Sequence, residues 1–253
     1  MTDLTNTHAR FQTTNWTDVF QSLTPDTASG GPGAQTLQAS REKLARSYYP
    51  PVYAYLRSRG NSRDQACEIA SDFFADVVYT RELLERADRT RGRLRSLILA
   101  ALTNYIVDWH RRPRNHAAGM SVLVDLKDLE TCDSTIVNSD APSEGFDVGW
   151  AVAVFNEALS LCEEHFKGKP GYWDIFESRV LVPSLGLAAP VDRERLAAKY
   201  GFSGVAVVSA KQQVVVDRLR AIMRDIVRAT AADDAEAERE YETICSLLRQ
   251  RSR

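Results

Sequence analysis

The sequence has few of the residues that build disulfides, metal sites or membrane spans. Its four cysteines lie far apart and form no C-x-x-C pair: Cys67, Cys132, Cys162 and Cys245. This usage argues against a disulfide framework or a zinc site and favours a reducing, cytoplasmic environment. No apolar run approaches the roughly 20 residues that a membrane-spanning helix needs, and no signal peptide is visible at the N-terminus. We therefore expect a cytoplasmic protein without membrane contacts.

The common signatures of enzymes are also missing. The four histidines form no H-E-x-x-H pair, and the chain contains no glycine-rich nucleotide loop and no G-x-S-x-G sequence. Carboxylates are numerous, but none lies in an apolar stretch that would raise its pKa for acid–base catalysis. We expect no enzymatic activity, and hence no catalytic residue, no cofactor and no metal ion.

The chain does contain helical periodicity over most of its length. No segment up to residue 113 alternates with the two-residue period of a strand, and 253 residues suit two small domains. We predict an all-α protein in which Pro50 and Pro51 bend or break one helix. The predicted parts are an N-terminal extension with a short helix (1–34), a helical domain (35–113), an acidic linker (114–147), a second helical domain (148–232) and an acidic C-terminal helix (233–253).

The net charge of −2 hides an uneven distribution. Basic residues outnumber acidic ones over residues 41–114 and again over 179–228, on either side of the acidic linker. Two basic helical modules of this kind favour two separate contacts with nucleic acid.

Residues 62–78 (SRDQACEIASDFFADVV) carry carboxylates at intervals of four residues. Ser62 is the predicted N-cap, and one helix face then holds Asp64, Glu68, Asp72 and Asp76. Such neighbours repel by a few tenths of a kcal/mol per pair, and residues 64–80 contain no Lys or Arg. The stripe is either a solvated helix face or a docking surface for a basic partner, which would relieve the repulsion.

A basic turn and a long helix follow in residues 89–112. Arginines precede the helix, and Tyr105, Trp109, His110, Arg111 and Arg112 lie towards its end. Aromatic and basic residues interleaved in this way stack on unpaired bases and hold phosphates. The alternative is that Tyr105 and Trp109, four residues apart, belong to the core.

Residues 195–228 show the pattern of a helix–turn–helix motif. The first helix, RERLAAKYG, has Leu196 and Ala197 facing inward and ends at Gly201. The turn FSGVAVV is longer than the usual three to four residues, and we predict that the second helix begins at an N-cap, Ser209. The alternative is an ordinary helical hairpin with a solvated polar face.

In this motif the first turns of the second helix enter the major groove of DNA. The side chains predicted there are Lys211, Gln212 and Gln213, which can donate to or accept from base edges. Arg218 and Arg220 lie further along the helix, where they suit phosphates.

In this combination and order, the features resemble the ECF-type sigma factors of bacterial RNA polymerase. The stretches YYPPVYAYLRSRG, SRDQACEIASDFFADVV and RADRTRGRLRSLILAALTNYIVDWHRR are similar to the sigma-2 domain of a subgroup that begins with a TTxW segment, here Thr13-Thr14-Asn15-Trp16. RERLAAKYGF and SAKQQVVVDRLRAIMRDIV are similar to the sigma-4 helix–turn–helix, and the acidic C-terminal helix has counterparts in that subgroup. The resemblance covers nearly the whole chain.

The resemblance implies a factor that gives core polymerase its promoter specificity and catalyses nothing itself. The acidic stripe would dock on the clamp helices of the β′ subunit, and sigma-4 would contact the β flap. The −10 element would meet Arg91, Arg93, Arg95, Asn104, Tyr105, Trp109, His110, Arg111 and Arg112. The −35 element would meet Ser209, Lys211, Gln212, Gln213, Arg218 and Arg220.

Two alternatives remain open at this level. One is a helix–turn–helix regulator that binds duplex DNA without polymerase, and the other is a protein–protein adaptor held by an anti-sigma factor. Control by such a factor or by a regulatory kinase is left undecided by the sequence. The acidic tail after residue 232 is expected to fold over sigma-4 and mask its DNA face, in which case deletion of residues 233–253 tightens promoter binding.

Overall fold

A computed structural model of the chain describes residues 32–78, 94–111, 142–231 and 233–251. The regular structure within these ranges is helical, as predicted. The helices are α1 (Pro32–Ser58), α2 (Arg63–Phe73), α3 (Leu94–Trp109), α4 (Pro142–Phe166), α5 (Tyr172–Phe176), α6 (Arg193–Tyr200), α7 (Val205–Thr230) and α8 (Asp234–Arg251). Two π-helical turns, Phe74–Val78 and Glu177–Leu181, continue α2 and α5, and a short α-helical turn follows at Val182–Ser184. The short helix predicted in the N-terminal extension and most of the predicted linker lie outside the described residues.

Helix α1 runs without interruption through Pro50 and Pro51, so the predicted break is wrong. The two prolines lie in the contact between α1 and α4. A Cβ atom on Gly149 of α4 would lie 2.8 Å from the Pro51 Cα and 2.8 Å from the Ala54 Cβ. The absent side chain therefore lets α4 approach closely, and the two prolines are buried in that contact.

The start of α2 agrees with the sequence prediction. Ser62 is the N-cap: its hydroxyl accepts from the Gln65 N–H at 3.2 Å, and the Gln65 side chain accepts from the Ser62 N–H at 3.1 Å. The α-helical part ends at Phe73 and widens into the π turn Phe74–Val78. Phe73 and Phe74 are both fully buried at this junction, with ring centroids 5.8 Å apart.

The main hydrophobic core crosses the boundary predicted between two helical domains. It includes Leu44 of α1, Ile98 of α3, Trp150 of α4 and Ile244 of α8. Helix α4 contributes more residues to this core than expected, because residues 142–147, which were predicted as linker, are already helical. The helices on both sides of the predicted linker therefore pack together in the described part of the chain.

A second, smaller core lies beside the main one. It joins Ile175 of α5, Leu196 and Ala197 of α6, and Val208 of α7. This cluster confirms the predicted inward face of α6 and packs α6 against α5 and α7.

Candidate nucleic-acid and partner interfaces

The helix–turn–helix pattern forms a tighter motif than the sequence predicts. Helix α6 ends at Gly201, whose left-handed φ of 64° lets its N–H and that of Phe202 bond back to the last carbonyls of the helix. Helix α7 begins at Val205, so Gly201–Gly204 form a turn of four residues, the usual length for this motif. The prediction that α7 begins at Ser209 is therefore wrong.

The earlier start has a packing cause. Val208 is fully buried in the small core, and it continues the apolar face that runs through Val215 and Leu219. The valines between Gly204 and Ser209 favour strands by propensity, but burial of this face outweighs that preference.

The exposed face of the N-terminal half of α7 is made of small, methyl-bearing and amide side chains. Its members are Val205, Ala206, Ser209, Ala210, Gln213 and Val214. Such a surface can contact thymine methyl groups and donate to or accept from base edges. Ser209 and Gln213 are thus the two predicted base contacts that lie on this face, where Gln213 Nε2 donates to the Asp217 carboxylate at 2.8 Å.

The other predicted base contacts point elsewhere. Lys211 is half-buried, and its Nζ lies 3.6 Å from the centre of the Tyr172 ring. Gln212 is also half-buried and accepts from the Arg179 Nε at 3.2 Å. Because α7 begins four residues earlier than predicted and both side chains make these contacts, the prediction that Lys211 and Gln212 lie on the base-contacting face is wrong.

The two arginines predicted to contact phosphates also differ from each other. Arg220 is exposed and lies 3.5 Å from Asp217, which is also exposed. Arg218 of α7 is half-buried near Cys162 of α4. Burial raises the pKa of the Cys162 thiol to about 11, and the positive charge of Arg218 opposes this rise. Only Arg220 of this pair is therefore well exposed.

The acidic stripe of α2 divides into two halves. Asp64 is exposed and Glu68 is half-buried. Asp72 accepts a hydrogen bond from the Trp109 Nε1 at 3.1 Å, and Asp76 accepts one from the Tyr105 hydroxyl at 3.0 Å. The second half of the stripe therefore holds α3 against α2.

This pairing joins two features that the sequence presented as separate sites. The carboxylates are four residues apart on α2, and their aromatic donors are four residues apart on α3. This matched spacing is the sequence feature from which the pairing of the two helices could have been predicted. Tyr105 is buried, with its ring 5.6 Å from that of Phe73, as the core alternative for this residue predicts.

The exposed residues at the end of α3 are the remaining candidates for contacts with DNA. Asn104, His110 and Arg111 are exposed, while Trp109 is half-buried with its ring edge-on to His110 at 5.2 Å. The other predicted −10 residues, Arg91, Arg93 and Arg112, lie outside the described residues.

Arg95 lies inside the protein, which corrects its assignment to a DNA-contacting surface. Its guanidinium, 11% exposed, forms ion pairs with Asp147 of α4 and, at 2.9 Å, with Glu240 of α8. It also lies over the Trp150 ring at 4.6 Å. The sequence predicts Asp147 in the acidic linker and Glu240 in the acidic C-terminal helix, and nothing in it pairs either residue with Arg95.

The C-terminal helix α8 packs along the C-terminal half of α7. Arg224 pairs with Glu238 at 3.2 Å and lies 4.1 Å from the Tyr241 ring centre, and the Arg228 Nε donates to Asp234 at 2.8 Å. The tail does fold over α7, as expected. However, it pairs with these partly exposed arginines and leaves the face of α7 that carries Val205, Ser209, Gln213 and Val214 exposed.

The described residues offer no basis for a metal site or a membrane span. No group of three potential metal ligands occurs among them, and none of their helices is long and apolar enough to cross a bilayer. Comparison with protein-family models, with curated proteins and with solved structures gives no match.

Proposed function

We propose that this protein is a sigma-type initiation factor, active in the cytoplasm, that binds core RNA polymerase and recognises promoter DNA. The observation that carries the proposal is the helix–turn–helix of α6 and α7. Its four-residue turn leaves the Val205–Val214 face of the second helix exposed. Binding in the major groove needs such a face.

In this proposal the helices from α1 to α3 act as the sigma-2-like part, and those from α4 to α7 act as the sigma-4-like part. Ser209 and Gln213 contact bases of the −35 element, with Arg220 near a phosphate. Asn104, His110 and Arg111, exposed at the end of α3, contribute to the −10 contact. The resemblance of the sequence to ECF-type sigma factors supports this division.

The contact with polymerase is proposed for the first half of the acidic stripe. Asp64 and Glu68 precede the part of α2 that is hydrogen-bonded to α3. A basic surface on the β′ clamp helices would complement them. The β flap is the partner proposed for the sigma-4-like part.

A second candidate is a helix–turn–helix regulator that binds DNA without polymerase. The internal hydrogen bonds of Asp72 and Asp76 favour it, because they give half of the stripe a structural role. A regulator of this kind needs no polymerase dock.

Transcription with purified components separates the two candidates. Core polymerase is incubated with a pool of promoter-containing genomic fragments, with and without the protein. The proposal predicts transcripts with discrete starts that depend on the protein and are lost in the Ser209→Ala/Gln213→Ala variant. Sequence-specific binding to duplex DNA without any stimulated initiation would support the regulator instead.

A further inference from the structure

Lysine is rare in this chain and is concentrated at one place. The sequence contains six lysines: Lys43, Lys127, Lys167, Lys169, Lys199 and Lys211. Two of them lie in the turn between α4 and α5, one lies in the last turn of α6, and one lies on α7. These three elements meet beside the helix–turn–helix turn, so four of the six lysines belong to one region.

Aromatic rings connect three of these lysines into a continuous surface. The Lys169 Nζ lies 5.2 Å from the Phe166 ring centre, and Phe166 stacks on Tyr172 at 5.1 Å. The Lys211 Nζ lies over Tyr172 at 3.6 Å and within 5.0 Å of Phe202. The members of this lysine–aromatic surface are Lys169, Tyr172, Lys211, Phe202, Tyr200 and Lys199, with the buried Phe166 ring packed against Lys169 and Tyr172.

The other end of the surface repeats the arrangement. Phe202 stacks on Tyr200 at 5.5 Å with the ring planes 20° apart, and the Lys199 Nζ lies 4.9 Å from the Tyr200 ring centre. Gly171 makes this assembly possible. A Cβ on Gly171 would lie 2.8 Å from the Phe202 ring, and its φ of 76° also disfavours other residues.

The surface is electropositive. Within the described part of the chain, no carboxylate lies within ion-pair distance of Lys169, Lys199 or Lys211. Glu164 pairs with Lys167 at 3.0 Å. Asp174 accepts from the Tyr200 hydroxyl at 2.8 Å, and its charge adds to the effect of Tyr200 in raising the pKa of Lys199. Burial lowers the pKa of His165 beside this surface, and the positive charges of Lys169 and Arg218 lower it further.

We propose that the lysine–aromatic surface binds the phosphate backbone of duplex DNA beside the bases contacted by α7. The inference rests on the DNA-binding part of the proposed function and does not require polymerase. Lysine ammoniums are point-charge ligands of phosphate, and phosphate contacts fix the register of a protein on the duplex. Lys199 lies in the last turn of α6, just before the Gly201–Gly204 turn that leads into α7, and the stacked rings of Tyr200 and Phe202 connect it to Lys211.

The stacking of the rings favours the backbone over unpaired bases. A protein that binds single strands leaves aromatic faces open for bases to stack on. Here the rings stack on one another in pairs, and lysines lie over Phe166, Tyr172 and Tyr200. Ammonium groups held against these faces keep their positive charge available to phosphates.

The test uses the full chain and a short fluorescent duplex of mixed sequence, with the association constant measured by anisotropy over a series of salt concentrations. The main variant is Lys169→Gln/Lys199→Gln, because both side chains are exposed. Each phosphate contact that is lost lowers the slope of log K against log salt by about 0.9, so we expect this variant's slope to fall by about 2. Adding Lys211→Gln is expected to lower it by about one more.

Two control variants isolate the charge and its position. Lys169→Arg/Lys199→Arg keeps both charges and is expected to keep the wild-type slope. Arg63→Gln/Arg239→Gln removes two exposed charges far along the sequence from the surface and is expected to change the slope by much less than the lysine pair. Circular dichroism of each variant verifies that the helical fold is retained.

The possible outcomes are distinct. An unchanged salt slope in Lys169→Gln/Lys199→Gln overturns the inference, as does a wild-type protein that does not bind the duplex at low salt. An equal loss of binding to the matching single strand overturns it in favour of a stacking surface. If the slope falls as expected but the protein does not bind core polymerase, the phosphate surface stands and the sigma-type function fails.

Discussion

The indole Nε1 of Trp109 donates a hydrogen bond to the Asp72 carboxylate across a distance of 3.1 Å. One turn earlier on α3, the Tyr105 hydroxyl donates to Asp76 at 3.0 Å. Two carboxylates spaced by four thus meet two aromatic donors spaced by four. The repulsion expected along the acidic stripe is offset here by hydrogen bonds rather than by basic residues.

Replacing either carboxylate that is hydrogen-bonded to α3 is predicted to destabilise the fold. Asp72→Ala and Asp76→Ala are each expected to lower the free energy of unfolding by about 1 kcal/mol, because a partly buried donor loses its acceptor. Asp64→Ala, at the exposed end of the same stripe, is the control and is expected to stay within about 0.5 kcal/mol of wild type. Urea denaturation followed by circular dichroism measures all three. Equal losses at positions 64 and 72 would contradict the division of the stripe.

The ion pair between Arg95 and Glu240 of α8 is predicted to contribute more to stability than the ion pair between Arg228 and Asp234 of the same helix. Glu240→Gln is expected to cost about 2 kcal/mol, because the buried guanidinium then keeps only Asp147 as a charged partner. The control is Asp234→Asn, whose partner Arg228 is 57% exposed, and its expected cost is below about 1 kcal/mol. Thermal and urea unfolding of both variants provide the comparison, and a larger loss at Asp234 would refute the assignment.

The same contact revises the expected effect of deleting the tail. Helix α8 buries Tyr241 and Ile244 in the main core. Removing residues 233–253 is therefore expected to destabilise the whole protein rather than to tighten promoter binding. A truncated protein that unfolds at the wild-type urea concentration and binds promoter DNA more tightly would restore the masking hypothesis.

Gly149 is predicted to be required for the contact between α1 and α4. A methyl group there would meet the Pro51 Cα at 2.8 Å, and that backbone atom has little room to move. Gly149→Ala is expected to cost about 1–3 kcal/mol through overpacking, despite the gain of about 1 kcal/mol in helix propensity. Gly145→Ala is the matched control, because its nearest neighbour is the rotatable Ser58 Oγ, and we expect a smaller effect. Melting temperatures decide between them.

High pH is predicted to unfold the protein through its buried tyrosines. Burial raises the pKa of Tyr49 to about 12 and also raises that of Tyr48. An unfolded tyrosine ionises near pH 10, so this contribution to stability is complete below about pH 10 and is lost as the pH rises towards 12. The loss is at most about 1.4 kcal/mol per pH unit for each tyrosine.

Tyr49→Phe tests this directly. The variant removes one of the two groups and is expected to show a shallower decline of the unfolding free energy above pH 10. The lost hydroxyl contacts, to the Cys67 carbonyl and to Ser71, lie at 3.2 and 3.3 Å, so only a small change is expected at neutral pH. An identical alkaline profile in both proteins would show that Tyr49 ionises freely in the folded state.

The local features of the fold could be predicted from the sequence because neighbouring residues determine them. Ser62 and Gln65 form a capping box within a single turn, and the inward face of α6 follows from the spacing of its apolar residues. The helical class of the described chain follows in the same way from its periodicity.

Features that depend on distant residues could not be predicted. Nothing near Arg95 indicates that its partners lie 52 and 145 residues further along the chain. The two prolines of α1 predict a bend or a break, yet the helix is continuous there and packs closely against Gly149 of another helix. The start of α7 was misplaced because the burial of Val208, a tertiary contact, decides it.

The most direct test of the proposed function is the affinity of the protein for purified bacterial core RNA polymerase. Wild type is compared with Asp64→Asn/Glu68→Gln and with Asp72→Asn/Asp76→Asn, which removes the same charge but keeps acceptor oxygens for Trp109 and Tyr105. We predict that wild type binds and that the Asp64/Glu68 variant binds at least about tenfold more weakly, a loss of about 1.4 kcal/mol. The Asp72/Asp76 variant is expected to stay closer to wild type. A wild-type protein that does not bind core polymerase would contradict the proposal.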